Sequence, residues 1–421
     1  MKNIKYLIIG AGISGLTFAN YIKNDYLILE KESEVGGYCR TIRKGDFIWD
    51  YAGHFFHFKT DEFKKLFLNE VNKDDIIHKD KCTKILYKDQ LIDYPFQTNI
   101  HELDKQDFID CLYDLFNKEE KDNYDNFLDM LYGKFGKSIV EKFLKPYNEK
   151  LYACDLKTLD KDSMGRFFPY ANINQIINNM KKNKDVSYNN TFLYPKNGAG
   201  SFIDILYNNL DKNRVLLNTN IVSVDIENKK VKTADGNIYE FEYLINTAPL
   251  NHFLQLTNDE NFFSLVNELS YNKVLVFNLG FNKKSKLTKE HWIYIPAKDC
   301  NYYRIGFYDN ILDSEKLSMY IEIGYSKDAK INIDEQLDLT LQNLKKQGII
   351  DDSTKLEEYV SIVMDPAYVH INTSTEQKIA KLKQTLKSNN IYTIGRYGAW
   401  TYCSMEDCML EAKKISEELS V

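Results

Sequence analysis

Near its start the chain runs through four apolar residues, Tyr6 to Ile9, into Gly10-Ala11-Gly12-Ile13-Ser14-Gly15. A helical stretch follows from Ser14 to about Lys23, then a second apolar run, Tyr26 to Leu29, that ends at Glu30. A short run without a polar position suits a strand at the centre of a parallel sheet, buried on both faces. The glycines then divide the work. Gly10 permits a tight turn, Gly12 lets a pyrophosphate approach the backbone, and Gly15 lets the helix pack closely on the strand. The helix N-terminus adds free N–H groups and the positive end of its dipole. Glu30, twenty residues after Gly10, stands where a carboxylate can accept both hydroxyls of a ribose. Three glycines alone say little. Strand, glycines, helix, strand and acid in this order predict a dinucleotide site.

The residues after the acid choose between dinucleotides. Gly36 and Gly37 follow Glu30 closely, and Arg40 and Thr41 follow them. A plain NAD domain has no use for this second glycine pair, whereas in flavoproteins with two dinucleotide-binding halves such a loop wraps the FAD pyrophosphate from the other side. FAD is therefore the expected cofactor. Later segments fit a return to the same domain. A hairpin turn at Asp235-Gly236 leads into a strand from Tyr243 to Asn246. The strand Ile391 to Ile394 runs into Gly395-Arg396, and Ser404 with Asp407 forms a capping box for a last helix. The N–H groups of Met405 and Glu406 at that helix start would face the flavin N1–C2=O edge and favour an anionic reduced flavin. The predicted FAD domain is thus discontinuous: 1–80, 190–250 and 390–421. Residues 104–146 alternate acidic and apolar positions at helical spacing, so 81–189 is expected to be mainly helical. Strand-like stretches at Lys273–Leu279, Trp292–Ile295, Tyr302–Tyr308 and Leu317–Ile323, with helical runs at 335–346 and 376–387, predict an antiparallel-sheet substrate domain over 251–389.

Composition narrows the function classes. The chain has 421 residues, 43% hydrophobic and 28% charged, as in an ordinary globular protein of more than one domain. Its net charge of -6 predicts no nucleic-acid or membrane surface, so an anionic substrate must meet locally placed cations. Of 55 basic residues only six are arginine: Arg40, Arg43, Arg166, Arg214, Arg304 and Arg396. Where the background avoids arginine, these positions become candidates. Seven scattered cysteines without a CxxC pair suggest a reduced chain, and no ligand spacing suggests a metal. The two early lysines and the apolar run could imitate a signal peptide. Glycines break that run and no small-residue cleavage site follows, so the expectation is a soluble, cytoplasmic protein.

Several segments together resemble the flavin-dependent UDP-galactopyranose mutases, within the wider flavin amine oxidase superfamily. They are Asp50 through Gly53-His54 to His57, Tyr94-Pro95-Phe96-Gln97-Thr98-Asn99, Pro146-Tyr147 to Tyr152, Gly165-Arg166, Trp292 through Arg304, and Gly395 through Tyr402. The resemblance spans nearly the whole chain. It implies an α/β fold with a Rossmann-like FAD-binding domain (GR2 flavoprotein type). It implies catalysis by reduced flavin, whose N5 attacks the anomeric carbon of a nucleotide sugar so that pyranose and furanose rings interconvert without net redox. It places His54 beside the flavin and Arg166 and Arg304 on the substrate diphosphate. Tyr94, Phe96, Gln97, Asn99, Tyr147, Tyr152, Tyr368 and Tyr402 become substrate contacts. Gly10, Gly12, Gly15, Glu30, Gly36, Gly37, Arg40, Gly395, Arg396 and Met405 become cofactor contacts. It further implies a reductant such as NAD(P)H or a flavin reductase, a role in surface-polysaccharide synthesis, and a homodimer. Arginine suits a departing diphosphate, because its planar fork meets phosphate oxygens two at a time. Bland alternatives stand beside these roles: Arg166 as a surface ion pair, His54 as a core histidine, Tyr94, Phe96 and Tyr152 as core aromatics. Tyr152 stands where the family usually has tryptophan, which leaves open UDP-galactose, UDP-N-acetylgalactosamine or a GDP-linked hexose or heptose. An amine oxidase or desaturase of the same fold is the competing expectation.

Overall fold

A computed structural model describes residues 2–23, 25–182, 191–257 and 259–420; the domain boundary expected at 189/190 lies outside them. The strand Lys2–Ile9 lies at the heart of a parallel sheet, between Tyr26–Leu29 on one side and Ile238–Asn246 on the other. Val215–Leu216 extends the sheet beyond Tyr26–Leu29, and Ile391–Thr393 joins beside Asn246, both in parallel. Chain segments from both ends therefore build one sheet. The hairpin foreseen at Asp235-Gly236 forms, with Lys230–Thr233 antiparallel to the first half of Ile238–Asn246. The helix Ile13–Ile22 packs its Leu16, Phe18 and Ala19 into a core shared with Cys408, Met409 and Ala412 of the last helix, Met405–Leu419.

A second sheet runs in the order Leu356–Val369, Tyr271–Phe281, Ser318–Ser326, Arg304–Phe307, Trp292–Tyr294, Thr83–Tyr87 and Gln90–Asp93. It is antiparallel except where Trp292–Tyr294 meets Thr83–Tyr87. Two features depart from the sequence reading. The hairpin 83–93, expected in the helical region, completes this sheet, because Ile85 and Ile92 need an apolar face to cover. The fourteen-residue strand Leu356–Val369 was not foreseen. Pro366 argues against a central strand, and here it sits on an edge strand, where the missing N–H is tolerated.

The helices Lys105–Phe116, Phe127–Ile139 and Lys145–Tyr152, with a π-helical turn at Val140–Leu144, build a separate apolar cluster. Tyr303 and Tyr368, from the second sheet, border this cluster. The helical region and the sheet thus meet along a row of tyrosines.

Candidate flavin and substrate site

The glycine turn has the close approaches its motif demands. A Cβ on Gly15 would lie 2.1 Å from the carbonyl oxygen of Gly10, and one on Gly10 would lie 2.6 Å from Thr247 Oγ1. Gly10 also has φ +96°, which favours glycine. Thr247 closes the turn from the neighbouring strand, donating its hydroxyl to the Ile9 carbonyl at 2.8 Å. Gly12 is different in kind. No atom lies within 4 Å of where its Cβ would be, and Gly37 faces it from the second loop. A Gly12–Gly36 bridge and the Gly36 N–H donating to Ala11 O (2.8 Å) tie the two loops together. Buried Glu30 accepts from Ala11 N at 2.7 Å and from Glu32 N at 2.9 Å, so its carboxylate is held beside the turn. Arg40 folds over the second loop, donating to Gly37 O at 2.8 Å. The open cradle between two glycine loops, with an oriented carboxylate at its end, fits the diphosphate and ribose of a dinucleotide.

A buried network joins this corner to the rest. The Asp50 carboxylate accepts from Thr41 Oγ1 (2.6 Å), Tyr194 OH (2.8 Å) and Ala199 N (2.9 Å). Its backbone carbonyl accepts from Asn278 of the second sheet at 2.9 Å. The capping box at Ser404 and Asp407 is present. Glu406, in the first turn of that helix, accepts from Thr60 Oγ1 (2.6 Å) and from the N–H groups of Lys59 and Thr60. It thereby fixes the chain just beyond His54. Gly395 donates its N–H to Glu411 at 2.7 Å, and a Cβ there would strike Ser14 of the first helix.

The second sheet supplies the cationic side. Arg304 lies directly across from Glu322 and Tyr294 in the strand register. It donates to Glu322 Oε2 at 2.5 Å and to Tyr368 OH at 3.3 Å, and Tyr303 OH donates to the same Glu322 oxygen at 2.5 Å. Arg304 Nε is buried with no hydrogen-bond partner in the protein, so part of the fork is uncommitted. Burial works against the Arg304 charge, but Glu322 and the surrounding phenols outweigh it and keep the guanidinium ionised. Arg396 donates to Cys403 O at 2.9 Å and lies over Tyr402 (4.6 Å) and Tyr368 (5.4 Å), which stack on each other. Tyr147 meets Tyr294 at 5.1 Å, Tyr94 meets Tyr294 at 5.0 Å, and Tyr152 meets Tyr368 at 6.0 Å. Burial pushes the Tyr402 phenol up to about 12, so it remains a donor at neutral pH.

His54 sits close enough to Arg396 and Arg304 to feel both charges. Burial, opposed by its bond to Ala52 O at 2.9 Å and reinforced by the two arginines, takes its pKa down to about 4. Its Nδ1–H must donate to that carbonyl, which leaves Nε2 an acceptor in the neutral ring. His57, His291 and His370 are likewise pushed down to about 4, mainly by burial. In the unfolded chain these rings titrate near ~6.5. Unfolding therefore takes up protons as the pH falls from that value towards 4, and stability drops over that window at up to roughly 1.4 kcal/mol per pH unit for each ring. Burial also raises Asp50 and Asp309 to about 7, so the folded chain takes up protons there over the same window and part of the loss is offset. With four rings set against two carboxyls, thermal melts should still show a lower midpoint at pH 5 than at pH 7; a higher midpoint at pH 5 would contradict neutral histidines.

Not every expected residue reaches this place. Phe96 is fully buried in the helical core, stacked on Phe143 at 5.1 Å. Its neighbour Gln97 donates to Pro169 O, although its Oε1 is buried without a partner. Asn99 donates to Pro95 O at 2.9 Å and accepts from Asn179. Phe96 thus serves packing, and Asn99 holds its own loop, because a segment entering a helical cluster must bury its aromatic ring and satisfy its amides. Arg166 is half-exposed and paired with Asp407, its guanidinium over Phe167, which meets Tyr402 at 4.9 Å. It borders the tyrosine row as one half of an ion pair. Met405 is the first helical residue after Ser404, partly buried against the shared core. Glu322, Tyr294, Asp50 and Thr247 were missed. Glu322 left a legible mark: one carboxylate within the apolar run Met319 to Ile323 needs a cation.

A two-loop dinucleotide cradle beside a second, mostly antiparallel sheet defines an FAD enzyme of the GR2 flavoprotein type. A family model for flavin-containing amine oxidoreductases matches residues 13–420, so the chain belongs to that family, and FAD is its cofactor. The fold is similar to that of a crystallised reduced UDP-galactopyranose mutase, with a TM-score of 0.93 and 21% identity over 100% of this chain and 94% of that one. A structure carrying a protoporphyrinogen oxidase name, from Exiguobacterium sp. 255-15, gives 0.75 and 18% identity over 100% and 98%. Protoporphyrinogen oxidase of Dictyostelium discoideum is 26% identical over 165 residues, 37% of this chain and 29% of that protein. Among the described residues no helix is long and apolar enough to cross a membrane, and no cluster could hold a metal ion.

Proposed function

We propose that this flavoenzyme is a nucleotide-sugar mutase that interconverts pyranose and furanose rings. The observation that carries the reading is Arg304, anchored by Glu322 on one side, with buried Nε uncommitted and phenols around it. An amine oxidase or desaturase binds its substrate in an apolar cage, whereas Arg304 among a row of tyrosines suits a diphosphate. The much closer fold agreement with the mutase than with the oxidase-named structure supports the same choice.

Bound FAD, in its reduced form, would supply the nucleophile for the anomeric carbon through N5. The protein's part is to hold the departing nucleoside diphosphate close enough to return. Arg304 would meet its oxygens with the free part of its fork, and the hydroxyls of Tyr368 and Tyr402 would donate to it. A charge-assisted contact of this kind contributes about 1.5–3 kcal/mol. Neutral His54 would offer Nε2 as an acceptor to a sugar hydroxyl. The Tyr152 ring meets Tyr368 at 6.0 Å and its buried OH has no partner in the protein, so it would be available to the sugar or base where the larger tryptophan usually stands.

The test is to reduce the FAD-loaded protein with dithionite and incubate it with UDP- and GDP-linked pyranoses and furanoses. Ring isomers should appear only with the reduced enzyme. Failure across the panel, with substrate-dependent oxygen uptake by the oxidised enzyme, would assign it to the oxidase branch.

A further inference from the structure

Lys81 lies between the strands Ile76–Asp80 and Thr83–Tyr87, half-buried where the helical region meets the second sheet. Its ammonium stands over two rings at once, 5.8 Å from the centre of Tyr94 and 5.6 Å from that of Trp292. Tyr94 leans on Tyr294, the cross-strand neighbour of Arg304, so Lys81 and Arg304 share one aromatic wall. Trp292 in turn meets Phe55, beside His54, at 4.5 Å. The nearby lysines all have acids: Lys59 pairs with Asp407, Lys79 with Asp313 and Lys84 with Asp93. Lys81 has none among the described residues. Burial, and then the repulsion of Arg304, push its ammonium below the usual lysine value. The same charge, after burial, helps keep neighbouring His57 neutral.

An ammonium withdrawn from water without a counter-ion is costly, and a second cation on the same wall adds to the cost. A folded chain sustains such an arrangement where an anion completes it. We propose that Lys81 and Arg304 together form a two-cation site for the diphosphate of a nucleotide substrate, with Lys81 as a binding residue not foreseen from the motifs. The proposal rests on the mutase reading. The two side chains would divide the work. Arg304 is fixed by Glu322 and aims a planar fork, while Lys81 is a point charge on a flexible stem that can follow the leaving group as it separates.

The experiment measures binding of UDP and GDP to the oxidised, FAD-loaded protein by calorimetry, in the wild type and in Lys81→Met and Lys81→Arg. Lys81→Met should weaken the bound nucleotide about tenfold or more, and Lys81→Arg should stay within about threefold, because the arginine restores the charge. Both should keep the wild-type flavin spectrum. In the reduced enzyme the loss should fall more on KM than on kcat. If Lys81→Met fails to fold, Lys81→Gln removes the charge while keeping a polar end. Equal nucleotide affinity in the wild type and the charge-removed variant would overturn the proposal and leave the mutase reading standing. A wild type that binds neither nucleotide would overturn the mutase reading itself, and the proposal with it.

Discussion

Gly12→Ala should yield a folded protein that has lost its flavin, whereas Gly15→Ala should damage the fold itself. The two glycines are three residues apart in one motif, yet their surroundings differ. At Gly12 a methyl group meets nothing within 4 Å, and the backbone φ of -77° suits any residue. The new methyl occupies the place where the pyrophosphate must approach. Overfilling a close-packed contact costs about 1–3 kcal/mol, so FAD affinity should fall by roughly tenfold or more. At Gly15 the methyl would lie 2.1 Å from the Gly10 carbonyl, and backbone cannot yield as a side-chain end can. The helix must then lift from the sheet. Flavin content after purification and the melting temperature of the flavin-free protein separate the two outcomes: Gly12→Ala should match the wild-type apoprotein in melting, and Gly15→Ala should melt earlier. A yellow Gly12→Ala protein with unchanged FAD affinity would mean that the cradle lies elsewhere.

Arg304 should show the second large effect, in activity and stability together. Arg304→Lys keeps the charge but loses the two-pronged geometry, and should cost about tenfold or more in kcat/KM. Arg304→Met also strands Glu322, which is 1% exposed and would be left without its cation. Breaking a buried ion pair from one side costs about 3–5 kcal/mol. Adding Glu322→Gln removes that stranded charge and still accepts from Tyr303. The double variant should therefore recover most of the stability and none of the activity. Recovery of both would show that Arg304 acts only as a partner for Glu322.

The FAD corner was legible because its constraints are local. Strand, turn, helix and acid lie within thirty residues, and Gly15 answers to the backbone of Gly10 only five positions away. The capping box at Ser404 was legible for the same reason. The substrate side depends on strand register, which no local pattern specifies. Glu322 meets Arg304, and Tyr94 meets Tyr294, only because the strands pair as they do. Phe96 illustrates the converse: the resemblance counted it among the substrate contacts, but its ring packs on Phe143 in the helical cluster. The edge strand Leu356–Val369 escaped notice because Pro366 is the residue that ordinarily marks its absence.

The cofactor corner is assembled from the first and last parts of the chain, and a ribosome delivers those parts in order. The segment bearing Gly10, Gly12 and Gly15 emerges early, but Ile238–Asn246, Ile391–Thr393 and the helix Met405–Leu419 that cover it come much later. Until then Leu16, Phe18 and Ala19 lack part of the surface they finally bury. Contacts of such long sequence separation form slowly and leave apolar faces exposed meanwhile. The cradle is thus complete only once the helix Met405–Leu419 can pack on the first helix, so flavin binding and closure of this core are coupled.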